Sequence, residues 1–126
     1  MMILVTGGSY QGKIEFVKRH FGLSDKDIAD AQQPLDVLLS AACIRHIERL
    51  ADDYEECIGT LRRILKERPG IIMVIDEIGC GIIPIEKSER IYRENAGRTG
   101  CFLAERADTV IRVVCGIPMV IKGELP

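Results

Sequence analysis

Ile3-Leu4-Val5-Thr6-Gly7-Gly8-Ser9-Tyr10-Gln11-Gly12-Lys13 opens the chain with an apolar run that stops in glycines. It passes into a segment of helical character, Ile14 to His20, so the whole reads as strand, tight loop, helix. The spacing Gly7-x-x-x-x-Gly12-Lys13 satisfies the P-loop pattern up to its last position. In such a loop, bare amides and the positive end of a helix dipole face phosphate oxygens, and the lysine reaches the β- and γ-phosphates. Gly7, Gly8, Ser9, Tyr10, Gln11, Gly12, Lys13 and Ile14 are therefore the expected binding loop for ATP or GTP, with Lys13 as its catalytic cation. Where the pattern calls for a Ser or Thr hydroxyl to ligate Mg²⁺, the chain has Ile14, which has no oxygen to offer. The motif speaks more strongly for nucleotide binding than for catalysis.

The composition fits that beginning. At 126 residues the chain is expected to form one domain, residues 1–126. Its 47% apolar and 29% charged content is that of a soluble globular chain, and Val/Ile runs alternating with helical periodicity predict an α/β class. A net charge of −2 shows no basic excess that would point to nucleic acid. The chain has no apolar stretch near the roughly 18 residues of a membrane span and no charged leader ahead of an apolar core, so a cytoplasmic location is expected. Cysteines 43, 57, 80, 101 and 115 are odd in number and lack a C-x-x-C pair, which argues for reduced, mostly buried thiols rather than disulfides or a zinc site.

Further along, Phe21-Gly22-Leu23 stops the first helix, and Asp27-Ile28-Ala29-Asp30 is expected to form a brief strand presenting Asp30 at its end. From Leu35 an apolar stripe advances in steps of three or four through Leu39, Ala42, His46, Leu50, Tyr54, Cys57 and Leu61 to Ile64. This predicts one long helix, or two broken at Asp52-Asp53 or Gly59, with His46 a core residue on its apolar face. His20 ends the first helix, where a cation complements the dipole. Ile71-Ile72-Met73-Val74-Ile75 predicts a central parallel strand covered on both faces. It ends in Asp76-Glu77, at the carboxyl end of a strand, where open α/β sheets bind ligands. If this strand neighbours the first, the two acids border the phosphate loop. With no hydroxyl at position 14, Mg²⁺ would fall to Asp30, Asp76 or Glu77, directly or through water. A glycine-punctuated loop from Ile78 to Pro84 leads into a helix from about Glu86 to Ala107, which carries a possible ion-pair row Arg90, Glu94, Arg98. A strand Thr109 to Cys115, a turn at Gly116-Ile117-Pro118 and an edge strand Met119 to Lys122 close the chain.

Glu77-Ile78-Gly79-Cys80-Gly81-Ile82-Ile83-Pro84 resembles the E-V-G-x-G-I-V-P signature of the bifunctional adenosylcobinamide kinase/adenosylcobinamide-phosphate guanylyltransferases of cobalamin assembly. Arg90-Ile91-Tyr92-Arg93-Glu94-Asn95-Ala96-Gly97-Arg98 looks like the family's R-x-F-R-D-x-A-G-R helix. Ala107-Asp108-Thr109-Val110, Gly116-Ile117-Pro118 and the glycine loop match further pieces in the same order. The resemblance covers residues 2–14 and about 71–123; between them the family carries an extra strand and helix and its guanylylated histidine.

The resemblance implies a P-loop (RecA-like) fold, a mostly parallel sheet flanked by helices with a C-terminal edge hairpin. It implies a phosphotransferase or nucleotidyltransferase using ATP or GTP with Mg²⁺ on a cobinamide-type corrinoid, the kinase half favoured over guanylyl transfer. Glu77 takes the place of the family's glutamate, so a catalytic or metal role falls to it, and a homo-oligomer, trimeric in the family, is expected. Ile14 leaves a second reading open, a catalytically impaired nucleotide-binding module or scaffold of the same pathway.

Overall fold

Apolar residues alternate between the two faces of every central strand, and that alternation sets the layers. A computed structural model describes residues 1–78 and 86–126. Among the described residues, six strands form one sheet: β1 (Ile3–Gly7), β2 (Ile28–Asp30), β3 (Cys43–Arg45), β4 (Ile72–Asp76), β5 (Thr109–Val114) and β6 (Ile117–Lys122). Their order is β2-β3-β4-β1-β5-β6. The first five run parallel and β6 returns antiparallel on the edge. Four helices accompany them: α1 (Lys13–Phe21), α2 (Leu35–Ser40), α3 (Tyr54–Glu67) and α4 (Lys87–Arg106).

On one face Ile3, Val5, Ile72, Val74, Ile111 and Val113 pack with Ile14, Phe16 and Val17 of α1. On the other, Leu4, Ile44, Met73, Ile75 and Val110 pack with Leu38 of α2, Leu61 and Ile64 of α3, and Phe102 and Leu103 of α4. Strand parity thus assigns odd and even residues of β1 and β4 to opposite cores. The mixed α/β sheet agrees with the expected fold class, and it has the expected strand neighbours, β1 beside β4 with Gly7 opposite Asp76.

The stretch from Leu35 to Ile64 departs from the expectation of one or two helices. It is a short helix, the strand β3, a 3₁₀ turn over Ile47–Leu50, and then α3. Residues from α2, the 3₁₀ turn and α3, with Ala42 and His46 between elements, happen to repeat at helical spacing, and a strand of three residues is too short to disturb the stripe. Pairing decides the outcome, because β3 fills the place between β2 and β4, with Ala29 opposite Ile44 and Ile44 opposite Met73. Asp53, named as a break point, is the N-cap of α3, its side chain accepting the Glu56 amide at 3.1 Å. His46 is therefore not on a helix.

The C-terminal hairpin turns at Cys115-Gly116, both with positive φ, so β6 begins at Ile117, ahead of the expected Met119. Pro118 sits on this edge strand, where a missing N–H is tolerated. In α4 Arg98 stacks over the Tyr54 ring at 3.7 Å. Gly79 to Pro84 of the glycine-punctuated loop, with Cys80, lie outside the described residues.

Of the thiols that are described, Cys43 and Cys57 are buried and Cys101 and Cys115 exposed. Burial pushes the Cys43 thiol up to about 12, and raises that of Cys57 as well. Brief iodoacetamide treatment at pH 8 is expected to alkylate Cys101 and Cys115 and to spare Cys43 and Cys57 until the chain is unfolded, as read by peptide mass spectrometry. Equal labelling of Cys43 in the folded chain would contradict the strand placement.

Candidate functional site

Between the carboxyl end of β1 and α1, Gly7 has φ +150°, and a Cβ there would stand 2.5 Å from the Val113 carbonyl oxygen. Only glycine lets the chain leave the sheet so close to β5. Gly12, with φ 88°, is the left-handed N-cap of α1. The loop between them is tied to the β5–β6 turn. The Gly116 amide donates to the Gln11 carbonyl at 2.8 Å, and the Cys115 amide to the Gln11 side-chain oxygen at 2.7 Å. Tyr10 is fully exposed and also has positive φ, at 61°.

Lys13 is the first residue of α1 and is only 6% exposed. Its ammonium donates to the Gly8 carbonyl at 2.6 Å and pairs with Asp76 at 2.7 Å. Ser9 adds a hydroxyl bond to the other Asp76 oxygen at 3.3 Å. A buried ammonium held by one carboxylate and one carbonyl is a cation with donor capacity to spare. Ile14, by contrast, turns its side chain into the α1-side core while bordering the cavity.

The paired acids separate by strand parity. Asp76 follows Ile72 and Val74 onto the α1 face and meets Lys13. Glu77 falls on the opposite face and is held by the Arg112 guanidinium through two bonds of 2.8 and 3.0 Å. Glu77 thus borders a second, mainly apolar cavity of about 380 Å³ with Ile75, Ala96 and Val110. Asp30 is engaged elsewhere, accepting from Arg49 at 2.8 Å and from the Gln32 amide at 3.0 Å. Asp30, Asp76 and Glu77 are not brought together.

Two residues that the helical stripe concealed stand beside Asp76 instead. His46, half-buried, has a left-handed backbone with φ 59° at the end of β3. Glu48 is 4% exposed; one of its oxygens accepts the Asp76 amide at 2.9 Å and the other lies 3.2 Å from His46 Nδ1. The ligand atoms of His46, Glu48 and Asp76 lie within 4.8 Å of one another. Tyr92 of α4 has its phenol pushed up, first by burial and then by the Glu48 and Asp52 carboxylates. No pattern in sequence marked His46 or Glu48, because their role depends on β3 being a strand. His20, by contrast, stacks on Phe16 at 5.4 Å and bonds the Pro126 carbonyl at 2.7 Å.

The loop from Ser9 to Lys13, with His46, Glu48 and Asp76, lines a cavity of about 480 Å³ that Lys18, Arg45 and Arg49 also border, a size in the range of small-ligand sites. Among the described residues, Arg45 keeps its Nε buried without a hydrogen-bond partner. Four cationic side chains around one opening, one of them with an unused donor, suit a multiply charged anion.

The family model described as cobinamide kinase / cobinamide phosphate guanyltransferase matches residues 34–121, well over half of the chain. The chain belongs to this family. The match includes residues 34–70, the part where the motif resemblance stopped. The bifunctional adenosylcobalamin biosynthesis protein CobP of Pseudomonas aeruginosa is 38% identical over 79 residues, 60% of this chain and 46% of that protein. CobU proteins of Salmonella typhimurium and Escherichia coli, with the same descriptive name, are 42% and 40% identical over 52 residues, in each case 41% of this chain and 29% of theirs. The chain thus spans less than half the length of the family relatives it matches. Among the described residues, no helix is long and apolar enough to cross a membrane.

Proposed function

We propose that the chain binds a nucleoside triphosphate in the cavity between α1 and the ends of β1, β3 and β4, and transfers its terminal phosphoryl group to a cobinamide-type corrinoid. The observation that carries this reading is the buried Lys13, held by Gly8 and Asp76 at the mouth of a cavity edged by Lys18, Arg45 and Arg49. On substrate entry the ammonium exchanges its Gly8 and Asp76 contacts for phosphate oxygens, and the Gly7–Gly12 amides and the start of α1 orient the chain of phosphates as a P-loop does. The catalytic work assigned to this chain is positioning and neutralisation of charge. The acceptor comes from the family description, and the kinase half is preferred because the loop and Lys13 suffice for it.

A Mg²⁺ accompanying the nucleotide would meet the carboxylates of Asp76 and Glu48 in this cavity, not Asp30 or Glu77, and would supply charge neutralisation between phosphates. Glu77, locked by Arg112 on the other face, is better placed to fix β4 against β5 or to meet a second substrate there. A nucleotide-binding module without turnover is the second reading, favoured by Ile14, whose side chain is spent on the core at the place of a hydroxyl.

Calorimetric titration with ATP and GTP, with and without divalent ion, followed by product analysis with a cobinamide acceptor, tests both readings. Saturable binding with metal-dependent phosphoryl transfer is expected. Binding without turnover selects the module, and the absence of binding by either nucleotide overturns the assignment of the loop.

A further inference from the structure

We propose that His46, Glu48 and Asp76 form a divalent-metal site selective for an ion of the Mn²⁺ class over Mg²⁺. The three donors come from the ends of neighbouring strands, His46 and Glu48 from the exit of β3 and Asp76 from the last residue of β4. Their ligand atoms already lie within 4.8 Å of one another. An octahedral ion with bonds of roughly 2.1 Å needs donors about 3 to 4 Å apart, so small side-chain rotations close the set.

Three features separate this cluster from an incidental group of polar side chains. Glu48 is 96% buried by its 4% exposure, yet its carboxylate accepts from the Asp76 amide and lies against His46, with lone pairs left over. His46 holds a left-handed backbone, a costly conformation for a side-chain-bearing residue and one that tends to persist at functional positions. The cluster also lines the same cavity as Lys13, beside the residue, Ile14, that withholds a metal-binding hydroxyl.

The donor set decides the ion. Mg²⁺ demands oxygen ligands in a near-ideal octahedron, whereas one imidazole beside two carboxylates admits divalent ions of the first transition row, of which Mn²⁺ is the one most at home with carboxylate donors. Of the two carboxylates only Asp76 is paired with Lys13, Glu48 has no lysine or arginine bonded to it among the described residues, and Arg49 is occupied by Asp30, so a further cation is electrostatically admissible. The ion shares Asp76 with Lys13, and departure of that ammonium to a phosphate would strengthen the site. The site itself stands on these residues alone; its place beside a triphosphate rests on the function proposed above.

The test is titration of the nucleotide-free full chain with Mn²⁺, read by the electron paramagnetic resonance of the free ion. Mn²⁺ is chosen because the exposed thiols of Cys101 and Cys115 would compete for softer metals. One saturable Mn²⁺ per chain is expected, with Mg²⁺ displacing it only at concentrations at least about ten-fold higher. His46→Asn keeps a side chain that tolerates a left-handed backbone, and is expected to weaken Mn²⁺ binding by about ten-fold or more with the melting temperature unchanged. Lys13→Ala is expected to bind Mn²⁺ at least as tightly as the parent chain while binding nucleotide more weakly. No saturable Mn²⁺ site, a site indifferent to His46→Asn in a folded chain, or Mg²⁺ competing on equal terms would each overturn the proposal. ATP titration in the presence of a chelator reports separately on the loop.

Discussion

Lys13→Ala is expected to weaken ATP or GTP binding by about 10- to 100-fold, the worth of one or two charge-assisted bonds in a site shielded from water. The side chain is 6% exposed, so its charge acts with less screening than a surface lysine would. Part of the loss would be offset in the free protein, because the ammonium is bonded to Asp76 and Gly8 and would have to give them up to reach phosphate. That exchange is why the figure stays below what a full Coulomb term would suggest. The variant also leaves Asp76, 18% exposed at its side chain, without its cation. A modest fall in melting temperature is expected with it, so calorimetry should be done well below the transition. Lys13→Met, which keeps the buried stem but not the charge, separates packing from electrostatics. A folded Lys13→Met chain that binds ATP with parental affinity would remove Lys13 from the site.

Lys13 was legible because the glycine-loop pattern is local: its glycines, its lysine and the strand before them lie within eleven residues. The pairing of β1 with β4 stood in the sequence only as a condition, and the register Gly7 opposite Asp76 meets it. The family resemblance favours Glu77 over Asp76, yet of the two only Asp76 lines the cavity of Lys13, because period two turns successive side chains of a strand to opposite faces. The parity of Ile72, Val74 and Asp76 against Met73, Ile75 and Glu77 was readable, and needed only knowledge of which face α1 covers. His46 and Glu48 were not readable in that way. Their place depends on β3, three residues whose strand state comes from pairing with β2 and β4 and not from local propensity. The stripe from Leu35 to Ile64 even pointed to the wrong period, since short elements separated by one to three residues can mimic a helix.

Gly7→Ala is expected to cost about 3 to 5 kcal/mol, combining a strained backbone with displacement of packed neighbours. The new Cβ meets the Val113 carbonyl oxygen at 2.5 Å, and that oxygen belongs to the backbone of β5, which cannot swing aside as a side chain can. Relief would require β1 or β5 to shift at the position where the Gly7 carbonyl also accepts the Glu77 amide at 2.8 Å. Against a typical total stability of about 5 to 15 kcal/mol, such a loss leaves a chain that is folded in the cold and lowers the melting temperature by roughly 10 to 20 °C. Gly59→Ala is the matched control, because Gly59 lies inside α3 with nothing within 4 Å of a new Cβ. There the same change is expected to raise stability by about 0.5 to 1 kcal/mol through helix propensity. Urea unfolding of both variants measures the difference, and its sign matters as much as its size. A Gly7→Ala chain as stable as the parent would mean that the first turn does not press against β5. The same added Cβ would stand 3.4 Å from the Lys13 Cδ, an ordinary contact, so the clash with β5 and not with the lysine stem sets the expected loss.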